Sequence, residues 1–200
     1  MRLPMSAHTS RPWRIHDVAP DFTVEDVWAL PTPGGPDEFP RLLAMLTAPD
    51  RENGTSPSLI YRALFAIRWK LGAVLGWDRD DAGVGARVPS LRDRLPDDLR
   101  DGPRGPEFDS VPFQPVFLTD DEWVAEMANR TVHALMHISW VADGSGGYRG
   151  QMAVMVKPNG VFGRAYMAAI LPFRYLLVYP PLMRMFERGW QRSGRIRTAD

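Results

Sequence analysis

Hydrophobic positions recur with two different periods along this chain, and the changes of period outline the expected elements. Ile60, Ala63, Leu64, Ile67, Leu71, Val74 and Leu75 fall on one stripe at helical spacing, with Ser56 placed to cap, Pro57 in the first turn and Gly76 at the end. Phe65 and Trp69 lie on the opposite face of that predicted helix beside Arg62, where a covering loop or a partner surface would bury them. Phe39, Leu42, Leu43 and Leu46 repeat the helical spacing. Residues 13–18 read as a short strand, and Thr23-Val24-Glu25-Asp26 reads as a helix start in which the Thr hydroxyl caps free N–H groups. Residues 90–95 read as a short helix within a segment, 77–112, that is otherwise rich in Asp, Arg, Gly and Pro and reads as loop.

The period shortens after residue 112. Residues 115–118 form a short apolar run, 122–128 and 131–141 read as strands joined by an Asn129-Arg130 turn, and 148–157 reads as a third strand after the turn Asp143-Gly144-Ser145-Gly146-Gly147. Pro158-Asn159-Gly160 stops that strand, and a long apolar helix over 162–190 follows, interrupted at Pro172 and at Pro180-Pro181. The order predicts an α+β fold: one antiparallel sheet gripping a long C-terminal helix, with short helices after the first strand. Residues 12–190 would form this single domain, with 1–11 and 191–200 as flexible termini.

Composition narrows the function classes. In 200 residues, 44% hydrophobic, a sizeable core can be buried, so global disorder is excluded. Lys plus Arg and Asp plus Glu both number 24, which leaves no bulk positive field for nucleic acid. The absence of cysteine removes disulfides, thiolate zinc sites and a Cys nucleophile. Arg164, Arg174 and Arg184 interrupt the most apolar stretch, 161–186, so no membrane span is expected. Residues 1–10 lack the apolar run of a secretory signal, and a cytoplasmic location is expected. There is no Walker A loop, no GxGxxG after a strand and no HExxH, and no cofactor is implied.

Glu122-Trp123-Val124, Thr131-Val132-His133, His137-Ile138, and above all Asn159-Gly160-Val161-Phe162-Gly163-Arg164-Ala165-Tyr166-Met167 followed by Ile170-Leu171-Pro172-Phe173-Arg174, resemble a bacterial domain-of-unknown-function family placed in the START-like (SRPBCC, birch-allergen-like) superfamily. The resemblance is strongest over residues 113–190. It implies a helix-grip fold and a cavity suited to hydrophobic ligands. It implies no catalytic residues, and superfamily members range from lipid carriers to polyketide cyclases.

A two-residue Asn129-Arg130 turn would set Glu126 opposite His133 and Glu122 opposite His137, all on one face, with Trp123, Met127, Met136, Ile138 and Trp140 on the other. The carboxylate–imidazole ladder fits three roles: a solvent-side set of cross-strand ion pairs, which is the favoured expectation, an acid–base pair, or ligands for a metal. The apolar set, extended by Met152, Tyr166, Met167 and Phe173, is assigned to the hollow between sheet and helix, where flexible Met side chains adapt to varied shapes. Arg149, Arg164 and Arg174 are candidates to orient an anionic head group at its mouth. Three functions follow. The chain would bind a hydrophobic or amphipathic small molecule; or run cyclase or dehydratase chemistry with a Glu–His pair in the same cavity; or act as an interaction module, possibly a homodimer, with a filled core.

Overall fold

The computed structural model describes residues 1–47, 84, 88–108, 112–129, 132–160 and 174–197. In chain order these hold β1 (Arg2–Leu3), α1 (Ser6–Thr9), α2 (Arg14–Val18), β2 (Thr23–Ala29), α3 (Phe39–Thr47), a 3-10 turn (Leu91–Arg94), α4 (Asp97–Arg100), β3 (Gln114–Leu118), β4 (Glu122–Ala128), β5 (Val132–Ala142), β6 (Tyr148–Pro158), a π-helical turn (Arg174–Val178) and α5 (Tyr179–Arg197). The strands build one six-stranded antiparallel sheet in the order β1-β2-β6-β5-β4-β3. The α+β class and the C-terminal helix agree with the sequence reading. The predicted helix over 56–76, with Phe65 and Trp69, lies outside the described residues.

Both faces of the sheet are covered, which explains why the central strands lack a clean polar side. On one face, Trp13, Ile15, Val18 and Phe22 from the N-terminal segment, with Leu91, Leu95 and Leu99, pack onto Val124, Leu135, Val141 and Met155. On the other, Leu42 and Leu43 of α3 and Tyr179, Phe186 and Trp190 of α5 pack onto Trp123, Ile138, Trp140 and Met152. These are called below the N-terminal side and the helix side.

Two expectations for the first 30 residues are reversed. The predicted strand at 13–18 contains α2, because this segment caps a sheet face with Trp13, Ile15 and Val18 rather than joining a ladder. The predicted helix at Thr23 is instead strand β2, paired along β6 from Thr23↔Val156 to Ala29↔Gln151 with a bulge between Val24 and Asp26. Here tertiary pairing overrides a local capping signal. The first eleven residues, expected to lie outside the domain, pair Arg2 with Trp28, bond the Met1 ammonium to the Ala29 carbonyl and bury His8 completely. Likewise the helical conformation continues to Arg197, past the predicted end at Trp190.

On the helix side, Gly150 lets α3 approach β6 closely. A Cβ there would lie 2.7 Å from Leu42 Cδ2 and 3.0 Å from Leu30 Cδ1. Arg41 of α3 lies over the Trp190 ring at 3.6 Å and donates to the Trp190 carbonyl, tying α3 to α5. Pro180 and Pro181 fall in the first turn of α5, where missing N–H groups cost nothing, so these prolines start a helix after the π-helical turn.

Candidate functional site

The hairpin between β4 and β5 sets the first group of polar side chains. Its innermost pair is Ala128↔His133, closed by the Asn129 N–H on the Val132 carbonyl and the Val132 N–H on Asn129 Oδ1. The register is thus two residues away from the predicted one: Glu126 faces Leu135 and Glu122 faces Ser139. A shift of two keeps every side chain on its predicted face. Glu126 and His133 therefore still meet diagonally, His133 Nε2 to Glu126 Oε2 at 2.8 Å, and so do His137 Nε2 and Glu122 Oε2 at 3.0 Å.

The expected solvent exposure of this ladder is overturned. Glu122, Glu126, His133 and His137 are all at most 3% exposed, because the N-terminal segment and residues 90–99 lie over them. Each pair is completed by that cover. Glu126 Oε1 accepts from the Ser90 hydroxyl at 2.5 Å, and its Oε2 accepts the Leu91 N–H at 2.9 Å at the start of the 3-10 turn. Burial would raise the Glu126 carboxyl, but the hydrogen bonds from His133, Ser90 and the Leu91 N–H outweigh it and hold it below the usual range. The Phe22 ring stands edge-on to His133 at 5.0 Å.

The second pair continues into a chain. Glu122 Oε1 accepts the Arg14 N–H at 2.8 Å, which anchors the start of α2. With His137 Nε2–H donating to Glu122, His137 Nδ1 is left to accept from His8 Nε2–H at 3.0 Å; the tautomers follow from this network. His8 Nδ1 is buried with no hydrogen-bond partner among the described residues, and His16 stands edge-on to His8 at 4.9 Å. Burial first, then the neighbouring His137 and His16, push His8 down to about 3, so it is neutral at pH 7. Sequence spacing gave His137 a glutamate partner alone; His8, with His16 beside it, joins His137 as well. Nothing in the local pattern of residues 6–16 announces a partner 129 positions away.

The helix side is arranged differently. Trp123, Ile138, Trp140 and Met152 are buried there. Met136 and its cross-strand partner Val154 are only half-buried, although they lie in the interior of the two longest strands. Met127, also half-buried, packs with Val154 against Val132, Ala134 and Val156. Tyr166, Met167, Phe173 and Arg164 lie outside the described residues.

Asp26 extends the row of Met136 and Val154 onto β2, as the other partner of Val154. Its buried carboxylate accepts from Arg174 Nη2 and the Tyr179 hydroxyl through Oδ2 and from the Tyr175 hydroxyl through Oδ1. Burial, then the bond to Asp26, pushes the Tyr175 hydroxyl up to about 12. Burial also raises Tyr179, so both phenols are neutral donors. Arg174 Nη1 is buried and has no hydrogen-bond partner among the described residues. Arg149 is half-buried and sits opposite Val141, on the N-terminal side, so it is not grouped with Arg174. Asp26, Tyr175 and Tyr179 were not singled out from sequence; Asp26 read as part of a helix start, which hid its place in β2.

Among the described residues, no cluster of three or more His, Asp or Glu side chains is placed to hold a metal ion, and no helix is long and apolar enough to cross a membrane. Residues 18–181 match the family described as "Protein of unknown function (DUF2867)". The chain belongs to that family. The matched span contains both Glu–His pairs, Asp26, Arg174, Tyr175 and Tyr179, whereas His8, Trp13 and His16 precede it. No curated protein and no solved structure matches the chain.

Proposed function

We propose that the chain binds a hydrophobic or amphipathic small molecule on the helix side of its sheet, as a START-like, helix-grip domain would. The observation that carries this reading is the half-burial of Met136 and Val154. In a central strand whose other interior positions are buried, a side chain keeps contact with solvent only where the covering layer leaves a recess. Walls of Trp, Met, Ile and Val supply the apolar area, worth about 25 cal/mol per Å² covered by a ligand. The donors around Asp26 lie at the end of the same cross-strand row and would fix the polar end of the ligand.

Cyclase or dehydratase chemistry by a Glu–His pair is less well supported. Both pairs point to the opposite face, where Trp13 and Phe22 stand against their imidazoles at 5.3 and 5.0 Å. Their bonds to Ser90, Leu91 and Arg14 suit them to pinning the cover.

Native mass spectrometry of the purified protein tests the binding reading, before and after adding 2-ethylnaphthalene. A non-covalent adduct on the wild type that is absent from Met136→Trp, a substitution that fills the recess, supports it. A bare mass for the wild type under both conditions overturns it.

A further inference from the structure

The sequence suggested that Arg174 would orient an anion. Its surroundings point elsewhere. Arg174 shares its Nη2 between Asp26 Oδ2 and the Tyr179 hydroxyl, so a carboxylate already neutralises the guanidinium inside the protein. The two phenols, neutral at pH 7, supply two further donors to Asp26. Outer groups of both signs stand nearby among the described residues: Arg2 lies over the Tyr175 ring at 4.5 Å, and Glu25 acts on Arg174. Among the described residues, the buried Nη1 amino group of Arg174 has no acceptor. A buried donor without an acceptor is unfavourable, and an incoming acceptor relieves it. A second negative charge would have to lie beside Asp26 in a poorly solvated place, where the Arg174 guanidinium is already paired with that carboxylate.

We propose that the helix-side site takes a neutral ligand, an apolar body bearing one carbonyl-type hydrogen-bond acceptor, with that acceptor received by Arg174 Nη1. The proposal rests on the binding reading above and deepens it. Asp26, Val154 and Met136 lie on adjacent strands, so the polar end and the recess are separated by two strand spacings, about 10 Å. A two-ring aromatic or a short alkyl chain spans that distance. The Asp26 carboxylate acts as a positioning group: it holds the guanidinium plane and cancels its charge, which turns a cation into a neutral-ligand donor.

Three probes with one common body separate the possibilities: 2-acetylnaphthalene carries a neutral acceptor, 2-naphthoate an anion, and 2-ethylnaphthalene neither. Calorimetric titration of the full chain at pH 7 is expected to give 2-acetylnaphthalene an affinity about tenfold above 2-ethylnaphthalene, the size of one hydrogen bond to a charged group, with 2-naphthoate weaker than 2-acetylnaphthalene. The double variant Asp26→Asn/Arg174→Gln, which removes both charges together, is expected to bring 2-acetylnaphthalene and 2-ethylnaphthalene to within about twofold. Tightest binding of 2-naphthoate, or equal binding of the ketone and the hydrocarbon, overturns the proposal while leaving a hydrophobic site standing. A tenfold gap that survives in the double variant also overturns it, because the acceptor is then received elsewhere. Failure of all three probes to bind overturns the site itself.

Discussion

The two faces of the sheet use the same strands for opposite ends. On the N-terminal side, both Glu–His pairs are drawn into bonds that cross from strand to cover: Glu126 to Ser90 and Leu91, Glu122 to Arg14, His137 to His8. On the helix side, the wall is apolar, its centre keeps contact with solvent, and its polar cluster holds a donor with no acceptor among the described residues. Buried carboxylate–imidazole pairs bonded across one face specify how that face is covered. An apolar face with an unfinished cover is what a ligand can complete. The lesson is that a carboxylate–imidazole ladder, the most reactive-looking pattern in this sequence, serves cohesion, while the plainer Met-lined face holds the better case for binding.

Substitutions can break this contrast, beginning with the most damaging. Glu126→Ala removes the acceptor for Ser90, Leu91 and His133 at once. It is expected to cost about 3–5 kcal/mol in urea denaturation, as losing one partner of a buried charged network does. A loss below about 1 kcal/mol would show that the ladder does not hold the cover. Next comes acid. Docked His8 is held near 3, whereas an unfolded chain takes up that proton near 6.5. Between those values the unfolded state binds more protons, so the His8 contribution is intact above about 6.5 and is lost as pH falls, by about 1.4 kcal/mol per unit. His8→Leu is expected to flatten the stability–pH profile by up to one proton in this window. An unchanged slope would place the titration elsewhere. Because Glu126 is held low, its own contribution persists above the ordinary carboxylate range and disappears only at more acid pH.

Smaller effects belong to the helix side. Gly150→Ala forces a methyl against Leu42 and Leu30 and is expected to cost about 1–3 kcal/mol, with α3 displaced from β6. Met136→Ala, at a half-buried position, is expected to cost less than the 2–5 kcal/mol, roughly, of a fully buried truncation. Thermal denaturation of both variants checks the order, and a Met136→Ala loss matching that of Glu126→Ala would erase the distinction between the faces.

Much of this architecture is legible in the sequence because the side-chain period is strong from residue 114 onward. The alternation in Glu122–Ala128 and Val132–Ala142 separates the Glu/His set from the Trp/Met set, and that separation survives a two-residue error in the turn. Which face is covered is not legible there. It depends on Trp13, Ile15, Phe22 and Leu91, whose contacts lie far along the chain and whose local spacing at 13–18 resembles a strand as readily as a helix. Asp26 was hidden for a similar reason. Beside Thr23 it looks like part of a helix cap, and only pairing with Val154 places it on the helix side. The family resemblance raised only the expectation of a hydrophobic site, and it carried no information on the charge-neutral pairing of Asp26 with Arg174.

The contrast between the faces is tested most directly by titrating 2-acetylnaphthalene into His133→Ala and Met136→Trp side by side. His133→Ala, although less stable, is expected to bind within about twofold of the wild type, whereas Met136→Trp keeps its fold and loses binding. Binding lost in His133→Ala and retained in Met136→Trp would place the ligand on the other face and contradict that expectation.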